Sequence, residues 1–231
     1  MQPCYVLKSD ETAQNQRDRD LSFVGGLPRI PESEDIPSCL LCGAELTFFF
    51  QVAFPQDHVW GNRTMALFAC TSCAQEDHLI PEMLEGPLAG SDIPENFLTS
   101  YQQNFRILVF DTDEGVLRKE YEPKVSFKRW DLIFSQSDAR RHKIGGEPNW
   151  LLDDEAPASY RQKVPMVFLM QLLEGFAFEK LPEAPPQMIL GLTGEPEPSD
   201  HPYYELFLGN NVYFFGTRGG NEPLVYILTQ I

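Results

Sequence analysis

The chain has 231 residues, 42% of them hydrophobic, and a formal net charge of −16 at pH 7. These values predict a water-soluble globular protein of one large domain or two small ones, and the acidic surplus excludes nucleic acid and anionic membrane surfaces as favourable partners. Its amino terminus lacks a basic start followed by an apolar run, so no secretory signal is visible and we expect a cytoplasmic protein.

The first predicted elements are a polar exposed segment and a β-hairpin. Residues 9–20 are charged and polar, which indicates a surface loop or a short helix. An apolar strand over 46–54, a polar loop over 55–64 and a second strand over 65–69 follow, and this order is typical of a hairpin.

Four of the five cysteines form two Cys-x-x-Cys pairs that flank this hairpin. Cys39 and Cys42 precede it, and Cys70 and Cys73 follow after 27 intervening residues. Residues i and i+3 of a tight turn can direct both thiolates to one ion, and Gly43 can adopt the left-handed conformation that such a turn often needs. We therefore predict one structural Zn²⁺ that clamps the open end of the hairpin and leaves no coordination position for water.

Three alternatives compete with zinc at these cysteines: two disulfides in an exported protein, four free thiols, or a redox pair. The absence of a visible signal argues against disulfides, and neither pair opens a helix in a βαβ unit. His78, five residues after Cys73, could replace one cysteine as a ligand. Cys4 is expected to be an ordinary buried or reduced thiol.

The rest of the chain continues the β-rich pattern. A short helix is expected over 94–103, with Ser91 or Asp92 as its N-cap. Further strands are predicted at 106–110, 124–127, 164–173, 187–192, 204–208, 211–216 and 224–228. We therefore predict a β-rich α+β fold in a single domain over residues 1–231.

The sequence also contains a degenerate internal repeat. Residues from Phe23 onward align without a gap to residues from Lys143 onward at a constant shift of 120. The identical pairs are Gly25-Gly26 with Gly145-Gly146, Pro28 with Pro148, Pro37 with Pro157, Phe48 with Phe168, and Gln51 with Gln171. We predict two intertwined pseudo-symmetric repeats, at about 21–140 and 141–231. Because Ser159 and Gln162 replace the first cysteine pair, only the first repeat is expected to hold metal.

The motifs that carry this repeat resemble the bacterial YwqG-like family, whose function is unassigned. The matching residues are Gly25-Gly26-x-Pro28-x-x-Pro31, Pro37-x-Cys39-x-x-Cys42-Gly43, Leu46-x-Phe48-Phe49-Phe50-Gln51-Val52, His142-Lys143-Ile144-Gly145-Gly146-x-Pro148 and Phe168-Leu169-Met170-Gln171. The resemblance extends from about residue 23 to the end. It implies a β-rich α+β fold of two intertwined repeats. The order Gly-Gly-x-Pro, Cys-x-x-Cys-Gly and apolar-Gln is also distantly similar to the eukaryotic programmed cell death 2 proteins.

Both resemblances imply protein binding. YwqG-like proteins have been proposed as immunity proteins that neutralise toxins, and programmed cell death 2 proteins are linked to chaperoning a ribosomal protein. We therefore predict a zinc-stabilised module that contacts a protein partner. The partner is expected to be either a basic toxin that the module neutralises or a client protein that it chaperones. The alternative is a small-molecule-binding or hydrolytic protein with its site in the cleft between the repeats.

No residue pattern in the sequence predicts catalysis. The histidines His58, His78, His142 and His201 are scattered, and none lies in a recognised nucleophile or metal-ligand motif. Two acidic clusters border Gly or Pro turns, where solvated acids are common: Asp111, Asp113 and Glu114, and Asp153, Asp154 and Glu155. We therefore expect no enzyme.

Two residue types are compatible with either a structural or a binding role. Gln51 and Gln171 recur in very apolar strands, which predicts buried amides paired with backbone groups across the pseudo-symmetry axis, or alternatively a pair that frames a ligand pocket. Trp60 and Trp150 are expected to pack in the core or against loops, with exposed partner-binding anchors as the alternative.

Overall fold

Strands dominate the secondary structure. The computed structural model describes residues 2–10, 12–13, 15–136, 140–219 and 223–231. It is 39% strand and 5% helix, which confirms the β-rich prediction. The strands are β1 (Cys4–Asp10), β2 (Phe23–Val24), β3 (Arg29–Ile30), β4 (Thr47–Ala53), β5 (Arg63–Ala69), β6 (Asp92–Ile93), β7 (Phe105–Asp111), β8 (Val116–Leu117), β9 (Lys128–Ser135), β10 (Lys143–Gly145), β11 (Ser159–Tyr160), β12 (Val164–Leu172), β13 (Ala177–Glu179), β14 (Met188–Leu190), β15 (Pro196–Pro198), β16 (Tyr203–Glu205), β17 (Asn211–Thr217) and β18 (Val225–Gln230).

Helical structure is limited to short turns in the described part of the chain. These are the α-helix α1 (Phe97–Ser100) and two 3-10 turns, Glu76–His78 and Phe207–Gly209. Within the same residues, no helix has the length and apolar character needed to cross a membrane.

One sheet contains twelve of these strands. Its main path has the order β18-β17-β12-β10-β1-β9-β2-β4-β5-β7. Every neighbouring pair on this path is antiparallel. The sheet is nevertheless mixed, because β11 pairs antiparallel with β12 and parallel with β6. Three two-stranded sheets, β13-β16, β14-β15 and β3-β8, lie outside it.

The strand register is matched on the two sides of the central β1–β9 pair. Phe23 lies opposite Gln51 in the β2–β4 pair, and Lys143 lies opposite Gln171 in the β10–β12 pair. Both members of the second pair are 120 positions beyond those of the first. The same shift that aligns the sequence therefore relates the two strand pairings.

Two further features recur on both sides of the sheet. β4 has a register irregularity after Phe48 in its pairing with β5, and β12 has one after Phe168 in its pairing with β17. At the centre, β1 pairs with β10 and β9, while β9 pairs with β2. The strand β1, from the start of the chain, thus connects β10 of the second half to β9, and β9 continues the sheet into the first half through β2.

The strand β5 is buried on both faces, and this explains its continuous apolar sequence. Met65 and Leu67 belong to the main hydrophobic cluster, whereas Ala66 and Phe68 belong to a second cluster. That second cluster includes Cys39 and contacts two further cysteines of the chain. The cysteine segment therefore rests directly on a packed part of the core.

Several predicted elements differ from the observed ones, among them the strand expected over 204–208, which ends at Glu205 and is followed by the 3-10 turn Phe207–Gly209. The helix expected over 94–103 is reduced to α1, and it begins only after Asn96, because Asn96 has a φ of 68° and cannot be part of a right-handed helix. The strand expected at 124–127 is only a bridge between Val125 and Lys180, and the strand forms instead as β9. The strand β1 occupies the start of the chain and overlaps the predicted polar segment.

The central strands β1 and β9 have weak sequence signals because few of their residues are buried. Leu7 is buried in β1 and Trp130 in β9, while most other positions are half-buried or exposed. These strands are held by a seven-residue antiparallel ladder with each other, from Cys4–Ser135 to Asp10–Arg129. Backbone pairing, rather than an apolar run, thus defines the middle of the sheet.

Candidate metal centre

Four cysteine sulfurs converge at the open end of the β4–β5 hairpin. The Sγ–Sγ distances are 4.0 Å for Cys39–Cys73, 3.7 Å for Cys42–Cys70 and 3.5 Å for Cys70–Cys73. All four sulfurs lie within 4.8 Å of one another. Metal–sulfur bonds of about 2.3 Å in a tetrahedron place the sulfurs about 3.8 Å apart. The cluster therefore has the spacing that a tetrahedral metal ion requires.

The first cysteine pair lies in a tight turn that its own backbone closes. The Cys39 N–H donates to the Ala44 carbonyl at 2.8 Å, and the Gly43 N–H donates to the Cys39 carbonyl at 2.9 Å. Gly43 has a φ of 75°, a conformation that glycine adopts without a Cβ clash. An antiparallel bridge between Ser38 and Glu45 closes the base of the turn. The turn thus directs both thiols to one side.

The segment after α1 connects the two cysteine turns. The Leu40 N–H donates to the Gln103 carbonyl at 2.8 Å, and the Cys70 N–H donates to the Asn104 carbonyl at 2.7 Å. The Ser72 N–H donates to Cys70 Sγ at 3.4 Å, a bond that stabilises a thiolate. Consecutive carbonyls, those of Gln103 and Asn104, thus hold the two cysteine turns beside each other.

The thiols differ in their environments. Burial raises the pKa of Cys70 to about 11, and burial together with the neighbouring Cys70 thiol raises the pKa of Cys73. Burial also opposes ionisation of Cys42, but a hydrogen bond from the Ala44 backbone and bonds from the other thiols outweigh it and lower the pKa of Cys42. A divalent cation must displace protons from such a cluster, so its affinity is expected to fall in acid.

The other metal-ligand candidates from the sequence lie outside the cluster. In the described residues, the group able to hold a metal consists of the four cysteines alone, without His78. Cys4 is buried in β1. The sequence-predicted ligand set Cys39, Cys42, Cys70 and Cys73 is therefore brought together, with four sulfur ligands available and no histidine needed.

Two histidines, one buried and one half-buried, accept hydrogen bonds from the backbone. His58 is 4% exposed, its Nδ1 accepts the Trp60 N–H at 3.0 Å, and burial, opposed by the charge of Asp57, lowers its pKa to about 4. His142 Nδ1 accepts the Leu173 N–H at 3.1 Å, and burial lowers its pKa as well. Both imidazoles are thus neutral hydrogen-bond acceptors for backbone groups near pH 7.

The two repeated glutamines are buried and fully engaged with backbone groups. Gln51 Oε1 accepts the Arg29 N–H at 2.9 Å, and its Nε2 donates to the Leu21 carbonyl at 3.0 Å. The equivalent bonds 120 positions later are Asn149 N–H to Gln171 Oε1 at 2.8 Å and Gln171 Nε2 to the Arg141 carbonyl at 2.8 Å. The predicted backbone pairing is present, but each glutamine pairs within its own half of the sequence and not across the pseudo-symmetry axis.

The tryptophans and acidic clusters also have local roles. Trp60 is 2% exposed and donates from Nε1 to the Thr217 carbonyl at 2.9 Å, and Trp150 packs against aromatic rings of β17. The core interpretation is therefore confirmed for Trp60, whereas Trp150 is partly buried and packs against the core. The Asp154 carboxylate accepts the Ala156 N–H at 2.8 Å, as expected for a turn acid.

The alternative function predicted a site in a cleft between the repeats, and a cavity of about 250 Å³ lined by both halves lies beside the cysteine cluster, but the sequence did not indicate which residues would line it. Cys70, Cys73 and His78 line it from the first half of the sequence, and Met188, Glu205 and Leu208 line it from the second. These segments are more than 100 positions apart, so only the fold brings them together. The imidazole and the carboxylate in the lining are not joined by a hydrogen bond or ion pair.

The chain matches no protein-family model and no curated protein. The resemblance to the YwqG-like family thus stays a prediction that depends on the sequence motifs quoted above.

Proposed function

We propose that this protein is a cytoplasmic, zinc-stabilised module that acts by stoichiometric contact with a basic protein partner. The observation that carries the proposal is the four-sulfur cluster. Four thiolates complete the tetrahedral coordination of Zn²⁺, so the ion stabilises the fold and offers no position to a substrate. An acidic surplus of sixteen charges gives the rest of the surface a preference for cationic partners.

We also propose that the fold consists of two intertwined repeats within one domain. Three observations support it: the register that repeats at a shift of 120, the irregularity after Phe48 and after Phe168, and the equivalent bonds of the two glutamines. Ser159 and Gln162 stand at the second-repeat positions of Cys39 and Cys42. Metal would therefore clamp the hairpin of the first repeat only.

Hydrolysis in the cavity between the halves is the competing function, and the lining residues give it little support. No hydrogen bond or ion pair joins His78 to Glu205, so neither is positioned by the other for acid–base work. The cavity volume of about 250 Å³ is also below the range of about 300–1,000 Å³ that is typical of small-molecule sites. A cavity of this size is better suited to bind one side chain of a protein partner.

The test of this function is affinity capture of the tagged protein from its native cells, followed by mass spectrometry. We expect one stoichiometric, basic partner that is retained at low salt and reduced at moderate salt, because surface charge pairing is screened by ions. A toxin as partner would support immunity, and a newly made client would support chaperoning. Retention of the same proteins by the tagged chain and an untagged control would contradict the proposal.

A further inference from the structure

We propose that the cavity beside the cysteine cluster is a docking groove for a cationic peptide segment that inserts one large aliphatic side chain. This inference depends on the proposed protein-binding function and assigns it a location and a ligand chemistry. The name "docking groove" refers below to the cavity lined by Cys70, Cys73, His78, Met188, Glu205 and Leu208.

The interior of the docking groove is apolar on the side contributed by the second half. Met188, Ile189 and Leu190 of β14 line it and are half-buried, with the core residue Leu206 below them. Leu208 stands at the rim with 52% of its surface exposed. An aliphatic side chain that entered here would cover apolar surface that now faces water.

The backbone holds Leu208 at this rim at a conformational cost. Phe207, Leu208 and Gly209 have φ values of 50°, 62° and 70°. A left-handed conformation costs of the order of 1–3 kcal/mol at a residue with a bulky side chain. Phe207 is anchored in the core against Phe105, with ring centroids 5.4 Å apart. The anchored turn therefore keeps Leu208 directed away from the core, where a partner can reach it.

Charge around the docking groove selects a cationic occupant. Glu205 lines the groove, Glu76 and Asp77 form the turn that ends at His78, and Glu195 and Glu197 lie on the loop and strand that follow β14. None of the described residues that line the groove is Lys or Arg. A positive residue beside an inserted side chain would therefore meet the Glu205 carboxylate, with no Lys or Arg among the described lining residues to repel it and with further acids close by in the sequence.

Size limits the insertion to a single side chain. The volume of about 250 Å³ is below that of a typical cofactor or drug-sized site, so the main chain of the partner must stay outside. The matching ligand is thus a leucine-type residue flanked by Lys or Arg. An anionic peptide with the same leucine would place like charges together.

The test uses a capped synthetic pentapeptide, Lys-Arg-Leu-Arg-Lys, and NMR of the protein labelled at its methionine methyl groups. The chain has six methionines, and Met188 lines the docking groove whereas Met65 is fully buried in the main cluster. We expect the Met188 methyl resonance, assigned with Met188→Leu, to shift saturably while that of Met65 stays in place. The peptides Glu-Asp-Leu-Asp-Glu and Lys-Arg-Ser-Arg-Lys should produce no saturable shift.

Two leucine variants provide a matched comparison. Leu208→Ser removes the exposed rim residue, and we expect it to weaken the peptide about tenfold, equivalent to about 1.4 kcal/mol. Leu192→Ser removes a fully exposed leucine from the loop after β14 that does not line the groove, and it should bind as the wild type does. Serine tolerates the local backbone at position 208 at least as well as leucine, so Leu208→Ser should fold normally.

An unmoved Met188 resonance, or equal peptide affinity in wild type and Leu208→Ser, overturns the docking groove. If a basic partner is captured from cells and Leu208→Ser retains it fully, the groove is wrong while the protein-binding function stands. If no stoichiometric partner is captured, the proposed function fails, whatever the peptide does.

Discussion

Removal of the buried amide at position 51 tests how the two halves of the sheet are stabilised. Gln51→Ala leaves the Arg29 N–H and the Leu21 carbonyl without their side-chain partner. An unsatisfied buried backbone group costs about 1–3 kcal/mol. Since Leu21 and Arg29 are partly accessible to water, the lower part of the summed range applies, about 2–4 kcal/mol.

Gln171→Ala should cost at least as much, because Gln171 makes the equivalent two backbone bonds at the equivalent strand position and its Nε2 also donates to Asn149 Oδ1 at 3.1 Å. In a chain of this size, 1 kcal/mol corresponds to about 2–4 °C in Tm, so each variant is expected to melt roughly 5–15 °C lower. Urea unfolding followed by circular dichroism gives the free energies directly. The exposed Gln56→Ala is the control and should stay within about 0.5 kcal/mol of wild type.

A glutamate at position 51 separates the two bonds. Gln51→Glu can still accept the Arg29 N–H, but in its ionised form it cannot donate to the Leu21 carbonyl. We expect a loss at neutral pH that shrinks in acid, when the carboxyl group is protonated. Losses below about 0.5 kcal/mol for both alanine variants would refute the stabilising role of the two amides, and a loss below about 0.5 kcal/mol in one variant beside a loss in the predicted range in the other would refute the equivalence of the two sites.

Two further perturbations address the Gly-Gly turn and the buried imidazole. Gly145→Ala should destabilise the protein far more than Gly175→Ala. Both glycines have left-handed φ values, so the backbone strain is similar. A Cβ at position 145 would lie 2.1 Å from the Pro3 carbonyl oxygen, whereas one at position 175 meets nothing within 4 Å. Comparable urea midpoints for the two variants would contradict this. Burial lowers the pKa of His58 to about 4, so below pH 6.5 the unfolded chain binds a proton that the folded chain does not. The free energy of unfolding should therefore fall between pH 6.5 and 4, by about 2 kcal/mol at pH 5. His58→Asn should reduce this dependence of stability on pH, whereas His201→Asn, at an exposed position, should leave it unchanged. Unfolding free energies measured at pH 7.5 and pH 5 test both expectations.

The sequence predicted those parts of the fold whose residues are buried on both faces or repeated in both halves. β4, β5, β12 and β17 have continuous apolar runs and were located within a few residues. The central strand β9 was missed, since its residues are mostly half-buried or exposed and its position depends on pairing with β1 and β2. Long-range backbone pairing leaves no periodic signal in such a strand.

The candidate metal centre can be predicted from local sequence motifs, whereas the docking groove depends on long-range contacts. The cysteine pairs Cys39–Cys42 and Cys70–Cys73 are local motifs with a fixed chemical meaning, so spacing alone predicted their convergence. The groove is formed by single residues such as His78, Met188 and Leu208 from distant segments. Its shape depends on the left-handed turn at Phe207–Gly209. Only the last residue of that turn is a glycine, so the sequence gives little sign of the left-handed conformation.

The central claim is that the four cysteines hold one structural zinc ion, and metal analysis of the purified chain tests it most directly. Elemental mass spectrometry should find one zinc per chain in the wild type and in Cys4→Ser, whose cysteine lies outside the cluster, and a large loss of zinc in Cys70→Ser. A chelator should lower the melting temperature of the wild type, because metal-binding energy is folding energy in such sites. A wild-type chain purified with zinc present that contains none, and whose melting curve a chelator leaves unchanged, would contradict the account.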